Sequence, residues 1–550
     1  MRITLEKSAQ AMPQSKTSAF LGRFWRTQDG AMSYIAVTGA LVMMVFGGIG
    51  IDMIHAELKR NKVQNTLDRA VLAAASMENF LDPEFVVEEY FRAMNMPDAL
   101  SSVTVDQSLN FKRVTADGHV TMPSNFMSLI GVNNLQAAGH AAAEHGLTKI
   151  EISLVLDISG SMGGDKIDQL QTAAKGFVDL MLPDNGSDMV SISVIPYNAT
   201  VNLGDNVGQY FNLEDVHAYS SCATFGTDDF LATAVSTSTE LSRLAHFDPY
   251  NSSTSSGTIS RPWCATGETS AVIAHSSNAT TIKAHIDTLD AGGNTAIDLG
   301  MKWGAALLDP AARPAVQALS AAGYVAEDHA NRPAEYADYE TLKFVVVMTD
   351  GQNTTQYDLK SDFKYGMSEA WVDTRGTTSR SDDRYSLRVT DNSGTNNDTY
   401  YWLRMAGGYT SSKYQSEPDG PSGASASQLY QMTNAELYSR FSTAAVASQF
   451  FYPPYSNGYL PYSDYYDAYY AYGSTVNGSS ADTNLSTVCQ AARDNGVVVY
   501  AIGVEAPTAG LEAMQDCASS TAHYFDVDGE DLNDTFSSIA RSLQMLRLTQ

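Results

Sequence analysis

The sequence predicts an α/β protein: a doubly wound parallel sheet in its C-terminal part, carried behind one membrane-crossing helix and a small α+β spacer. Three observations lead to this class. From about residue 147, continuously apolar strand-like runs alternate with amphipathic helix-like runs, as in a parallel sheet covered on both faces. Residues 31–51 are 21 uncharged residues in a row, enough to cross a hydrocarbon core as a helix. Between these segments, residues 84–146 hold short alternating runs typical of small antiparallel strands.

Residues 1–30 are polar and lack periodicity, and are expected to form a cytoplasmic tail. The run "AMSYIAVTGALVMMVFGGIGI" (31–51) is longer than a secretory signal core and has no small-x-small cleavage site close behind it. Asp52 instead leads into "MIHAELKRNKVQNTLDRAVLAAAS", which reads as the same helix continuing into water, so a retained anchor is expected. Within the span, Ala36, Ala40, Gly47 and Gly50 fall near one face, where small residues admit a second membrane helix. Past it, Leu58, Val63, Leu67, Ala70, Val71 and Ala74 continue a helical stripe, and "SSVTVDQSL" and "GHVTM" alternate like strands. Residues 52–146 thus form a helical stalk and small α+β spacer.

The main domain is expected over residues 147–547. Its strands are read at 152–158, 189–197, 341–350, 495–504 and 522–527. The helix after the first strand, "DKIDQLQTAAKGFVDLML", carries the stripe Ile167, Leu170, Ala174, Phe177 and Met181, and a last helix spans about 530–547. Two insertions interrupt the rhythm, at about 204–270 and 352–485. The second is rich in Ser, Asn, Gly, Asp and Tyr and poor in aliphatics, so it cannot build the central sheet and belongs at one edge. It holds nine tyrosines in the 21 residues from Tyr452 to Tyr472. Tyrosine offers large amphipathic contact area at low entropic cost, which suits a contact surface; a loop packed on its own domain is the alternative.

Composition narrows the function classes. The 550 residues include 62 acidic and 34 basic side chains, a net charge of −28, and no basic face with interleaved aromatics. That balance disfavours nucleic acid and suits divalent cations. The four cysteines, Cys222, Cys264, Cys489 and Cys517, form no CxxC and accompany no HExxH, which argues against zinc. Local pairing is expected, Cys222 with Cys264 and Cys489 with Cys517, because each pair closes a short loop; four buried free thiols are the alternative. Lys16, Arg23 and Arg26 before the span balance Lys59, Arg60, Lys62 and Arg69 after it, so charge does not orient the anchor. Disulfides do, by placing the C-terminal domain outside the cytoplasm.

The stretch "SLVLDISGSMGGDK" (153–166) sets a buried strand against Asp157, Ser159 and Ser161 at its mouth. Thr295 lies in the glycine-rich turn "DAGGNTAIDLG", and Asp350 follows the strand in "MTDG". In a doubly wound sheet, ligands bind at the carboxyl ends of the strands, where these three pieces would gather. Hydroxyl and carboxylate oxygens without nitrogen or sulfur suit a hard cation, and two carboxylates with three hydroxyls leave it short of ligands. Asp165 and Asp168 read as dipole-favoured residues of the next helix. Catalytic signatures are missing: no GxSxG around either serine, no Walker A loop, no HExxH, and no extra aspartate nucleophile for a magnesium-dependent hydrolase.

This set, DxSxS, then Thr in a glycine-rich turn, then Asp before Gly, resembles the metal-ion-dependent adhesion site of von Willebrand factor A-type (Rossmann-like) domains. The resemblance implies that Ser159, Ser161 and Thr295 bind Mg²⁺ (or Mn²⁺ or Ca²⁺) through hydroxyls. It implies that Asp157 and Asp350 act largely through water, and that a partner's Asp or Glu completes the ion. "RTQDG" before the span, "KRNKVQNTLDRAVLAAAS" after it and "CASSTAHYFDVDGEDLNDTFSSIA" (517–540) further resemble the TadG-type proteins of bacterial tight-adherence (Flp) pilus assembly. That family implies a non-enzymatic, metal-dependent adhesion or assembly component. It implies a single-pass protein of the bacterial inner membrane, with the C-terminal domain in the periplasm or envelope and a pilus or envelope protein as partner. Pseudopilins of this system carry a glutamate five residues after a glycine cleavage site; Gly30 here is followed by Ala31-Met32-Ser33-Tyr34-Ile35, so retention of the anchor is expected. A structural envelope protein acting through the tyrosine-rich insertion is the alternative, ahead of a magnesium-dependent hydrolase.

Overall fold

The computed structural model describes residues 29–76, 81–107, 111–146, 149–182, 189–254, 257–376, 378–390, 399–403, 408–410 and 428–549. The tail expected over residues 1–30 lies almost wholly outside them. The chain divides into two compact units, Met1–Gly146 and Leu147–Gln550.

In the first unit one unbroken helix, α1 (Asp29–Ala75), contains the apolar run and is long and apolar enough to cross a membrane. Its first part stays exposed, whereas Val63, Leu67, Ala70, Val71 and Ala74 are buried. They pack with Val87 and Phe91 of α2 (Pro83–Ala93) and with Val114, Ala116 and Ala141 of an antiparallel sheet. That sheet runs β1 (Leu100–Gln107), β2 (Phe111–Pro123), β3 (Asn134–Gly146), in that order. β2 is longer than the alternation of "GHVTM" suggested, and β3 carried no such signal. β3 contains "QAAGHAAAEHG", which has high helix propensity, yet small side chains let α1 lie close: a Cβ on Gly139 would stand 3.0 Å from Leu67. Packing overrides propensity here.

The second unit holds the central sheet. Its strands are β4 (Lys149–Asp157), β5 (Val190–Tyr197), β6 (Ile273–Ser276), β7 (Thr341–Thr349), β15 (Val498–Val504) and β16 (Tyr524–Val527). β8–β14 lie in the second insertion. The order β16-β15-β7-β4-β5-β6 is doubly wound, and all neighbours are parallel except β6, which runs antiparallel to β5. β6 is the one strand of this sheet outside the parallel alternation read from the sequence. Four residues ending in "HS" carry too little apolar pattern to be read, and an edge strand needs burial on fewer sides.

Alternate residues of β4 serve two interiors. Ile152, Leu154 and Leu156 face α3 (Asp165–Met181) and the last helix (Leu532–Thr549), with Phe177 and Phe536 packed edge to face. Val155 faces the other side with Val345, Val347, Tyr197 and Trp303 of the helix Ile297–Ala306.

Both insertions stay off the central sheet. The second forms its own antiparallel sheet, β12-β11-β10-β9-β13, from β9 (Met367–Asp373), β10 (Arg384–Thr390), β11 (Thr399–Trp402), β12 (Tyr409–Thr410) and β13 (Leu429–Thr433). A two-stranded ribbon pairs β8 (Gln356–Leu359) with β14 (Tyr472–Val476). The tyrosine-rich stretch is helical at Tyr452–Ser456 and Tyr462–Tyr469, and its rings stack on one another, as Tyr455 does on Tyr465. The helix Gly478–Asp494 packs against the Ile297–Ala306 helix, so the excursion ends before residue 478 and not near 485. Disulfides join Cys222 to Cys264 and Cys489 to Cys517.

Candidate metal centre

β4 ends at Asp157 and β7 at Thr349, adjacent in the sheet, so the loops beyond them diverge side by side. Asp157 is fully buried and is held from two directions. Its Oδ1 accepts from the Ser159 backbone N–H at 2.7 Å, and its Oδ2 accepts from the Thr349 hydroxyl at 2.6 Å. Burial pushes its pKa up to about 6, against the lowering effect of Thr349 and Ser159, and the Asp350 carboxylate raises it further. A carboxylate in that position gains from any cation brought to its mouth.

The loop after β4 lies against the glycine-rich turn. The Gly160 N–H donates to the Gly293 carbonyl at 3.0 Å, and the Gly292 N–H donates to the Ile158 carbonyl at 2.9 Å. Gly293 adopts φ +88°, which favours glycine there. Thr354 fixes the turn beyond it: its hydroxyl accepts from the Thr295 N–H at 3.1 Å and donates to the Thr295 carbonyl at 3.0 Å. These bonds bring the five sequence-selected residues to one place. The Ser159 and Ser161 hydroxyls lie 3.1 Å apart, and Ser161 Oγ donates to Asp350 Oδ1 at 2.6 Å. A Cβ built on Gly351 would stand 3.3 Å from Thr295 Oγ1 and 3.7 Å from Ser161 Oγ. Glycine therefore leaves open the space between those hydroxyls. The donors are all hard oxygens, which fits Mg²⁺, Mn²⁺ or Ca²⁺. Among the described residues, no group of three or more His, Cys, Asp or Glu converges as a metal site, so any site here depends on hydroxyls.

Lys166 escaped the sequence reading. Its Nζ donates to Asp350 Oδ2 at 3.0 Å and lies 3.3 Å from Glu505 Oε2. Partial burial works against its charge, but Asp350 and Glu505 outweigh that and hold its pKa above the ordinary value. The only sequence signal was a lysine at the second position of the helix after DxSxS. Asp165 and Asp168 sit in the first turn of α3, whose N-cap is Gly164, and neither caps it through a side-chain bond.

Beside Gly160 and Gly293 opens a cleft of ≈610 Å³, lined also by Asn198, Tyr250, Arg261 and Trp263. Buried Asp248 shapes its wall by accepting the N–H groups of Tyr250, Asn251, Ser260 and Arg261 at 2.8–3.0 Å. The first insertion thus borders the candidate centre.

Comparison with known proteins adds the following. Residues 30–77 match the family model described as Flp pilus-assembly TadE/G-like. No curated protein matches the chain. Among solved structures, the von Willebrand factor domain of the type V pili tip protein Mfa5 from Porphyromonas gingivalis is 13% identical, with a TM-score of 0.32 over 74% of this chain and 98% of that one. The pilus adhesin SpaC from Lactobacillus rhamnosus GG, in its open conformation, is 11% identical, with a TM-score of 0.26 over 80% of this chain and 33% of that one. Proximal thread matrix protein 1 from the mussel byssus, with a zinc-occupied MIDAS motif, is 12% identical, with a TM-score of 0.25 over 72% and 46%. Likenesses this remote carry no functional weight. The chain therefore joins a segment at residues 30–77 that is similar to TadE/G-like Flp pilus-assembly proteins to a C-terminal unit built on a six-stranded, doubly wound sheet.

Proposed function

We propose that this protein is a membrane-anchored, metal-dependent protein-binding component of a bacterial Flp/Tad pilus system, acting in adhesion or assembly without catalysis. It is a single-pass protein of the inner membrane whose C-terminal unit faces the periplasm or envelope. The observation that carries this reading is the convergence of Ser159, Ser161, Thr295, Asp157 and Asp350 at the carboxyl end of the sheet, with both carboxylates already engaged by protein donors. The three hydroxyls would hold Mg²⁺, or Mn²⁺ or Ca²⁺, and the two aspartates would orient them and balance its charge. An ion held by so few direct anions stays electrophilic, and a carboxylate of a pilus or envelope partner is its natural further ligand. The Arg261-lined cleft beside it offers room and charge for that acidic side chain. Lys166 competes with the ion for Asp350.

A second reading rests on one observation. Tyr462, Tyr466, Tyr469 and Tyr470 are 46–55% exposed on the second insertion, and a structural envelope role would use that aromatic surface without metal. One experiment separates the two: calorimetric titration of the full-length protein in micelles with Mg²⁺ and Mn²⁺, then capture of partners from membranes with and without EDTA. Thr295→Ala or Ser159→Ala should weaken metal binding. Asp350→Ala should weaken it more, by about tenfold or greater, or 1.4 kcal/mol, because it removes a charge and leaves Lys166 facing the ion. Capture should fail in EDTA. Wild-type metal and partner binding by Asp350→Ala would overturn the proposal, and capture that survives EDTA would favour the tyrosine surface.

A further inference from the structure

The turn between β2 and β3 is apolar and exposed. Residues 124–135, "SNFMSLIGVNNL", contain no charged side chain. Leu129 and Ile130 are 71% and 55% exposed, and Phe126 and Val132 are partly exposed beside them. Soluble proteins seldom leave such a cluster open to water. Its location is specific. The Phe126 ring lies on Gly48 so closely that a Cβ there would stand 2.4 Å from the ring. By contrast, Gly47 and Gly50, which the sequence offered as a helix-docking face, have nothing within 4 Å. Gly48 lies three residues inside the end of the apolar run at Ile51, roughly 4–5 Å along the axis.

The backbone of the turn is provided for. Asp52, the first charge after the apolar run, is buried and accepts the N–H groups of Asn125, Phe126 and Met127 at 3.3, 2.7 and 2.8 Å. The N–H groups of Leu129, Gly131 and Val132 donate to Phe126, Ser128 and Met127 carbonyls within the turn. These six amides are satisfied within the protein, which lowers the cost of bringing the turn into a layer poor in water, where open amides are costly. The first cation beyond is Lys59, eight residues past Ile51 or roughly 12 Å, within reach of lipid phosphates.

We propose that the β2–β3 turn, residues 125–132, inserts into the membrane leaflet on the Asp52 side of α1, giving the chain a second lipid contact beside its anchor. The occupant of this surface is lipid, because the turn is packed on the very part of α1 that the apolar run places in hydrocarbon. The inference rests on α1 crossing the membrane, and the test keeps the two apart.

All four cysteines are in disulfides, so single cysteines can be labelled in the full-length chain. Leu129→Cys, Ile130→Cys, Val42→Cys and Thr104→Cys carry an environment-sensitive fluorophore in vesicles of phosphatidylethanolamine and phosphatidylglycerol. Thr104 pairs with Thr115, eight residues or about 26 Å along β2 from Pro123, and reports on the water-facing end. Quenching is measured with acyl-chain doxyl lipid and with iodide on both sides. Labels at 42, 129 and 130 should lose emission roughly twofold or more with doxyl lipid and resist iodide, and the label at 104 should do the reverse. Labels at 129 and 130 that follow the label at 104 overturn the inference while 42 still supports the anchor. Shielding of 129 and 130 from both quenchers also overturns it, since a protein surface then covers the turn. A label at 42 that escapes doxyl lipid removes the anchor and the inference together.

Discussion

The C-terminal unit contains interiors of two kinds. Around the central sheet the strands fill the interior mainly with periodic aliphatics: Ile152, Leu154, Leu156, Val346 and Ile502 on one face, Val155, Val345 and Val499 on the other. Where the two insertions meet, the filling is aromatic and particular. Phe247 stacks on Trp263, Trp263 meets Tyr357 edge to face, and Tyr385, Phe441 and Phe450 crowd together, with Cys222 and Cys264 bridged among them. The first kind is specified by a repeating pattern that many residues share. The second is specified by individual pairings and cross-links, so its stability is concentrated in few positions.

The largest effect expected from breaking this contrast is in the sheet. Phe344 is almost fully buried against α3 and the last helix, and Phe344→Ala should cost about 3–5 kcal/mol and lower the calorimetric transition of both kinds of interior together. If the insertions kept their own transition, they would be an independent domain and the contrast would have to be redrawn. Next, Cys222→Ser with Cys264→Ser should cost about 2–4 kcal/mol, read as faster limited proteolysis within 204–270 while the sheet keeps its thermal transition. Equal loss in both places would show that the bridge supports the whole unit.

A smaller effect sharpens the boundary. Asp298, at the start of the Ile297–Ala306 helix, is buried and has no cation beside it among its hydrogen-bond partners. It accepts from Gln356 Nε2 at 2.8 and 3.0 Å and from Asn484 Nδ2 at 3.5 Å. Burial pushes its pKa up to about 7 from an ordinary 3.8, although these bonds oppose the rise. The native state therefore holds a proton that the unfolded chain has released, and stability falls as pH rises from about 4 to about 7. Asp298→Asn removes that loss. It should be near neutral at pH 4 and more stable than wild type at pH 8 by about 1–3 kcal/mol, within the roughly 4 kcal/mol that three pKa units represent. An unchanged difference across pH would mean that the carboxylate titrates in the fold as it does in the unfolded chain.

The same contrast explains what could be read from the sequence. "SLVLDISGS" and "TLKFVVVMTD" are apolar on both faces because their strands are covered on both, and the oxygen-bearing motifs stand at their ends. Hence the sheet and the five clustered residues were legible together. β6 was not, because an edge strand of four residues with a buried histidine presents no such run. Nor was β10, "RYSLRVT", whose partners β9 and β11 are also short and carry no continuous aliphatic run, so nothing in the sequence set their register. Lys166 was missed for another reason. A lysine stem reaches several ångströms in many directions, and spacing does not say which acid it meets.

The unbroken course of α1 has a mechanical consequence. Some 24 residues, 52–75, continue the apolar run of the proposed anchor as one rod, about 36 Å long. Its buried face is clamped by Val87, Phe91 and the three-stranded sheet. There is no joint at the bilayer surface about which the first unit can swivel. Tilting or turning the segment in the lipid must tilt or turn that unit as a lever does. A pull applied to the unit is likewise delivered to the bilayer as torque and not absorbed by a slack tether.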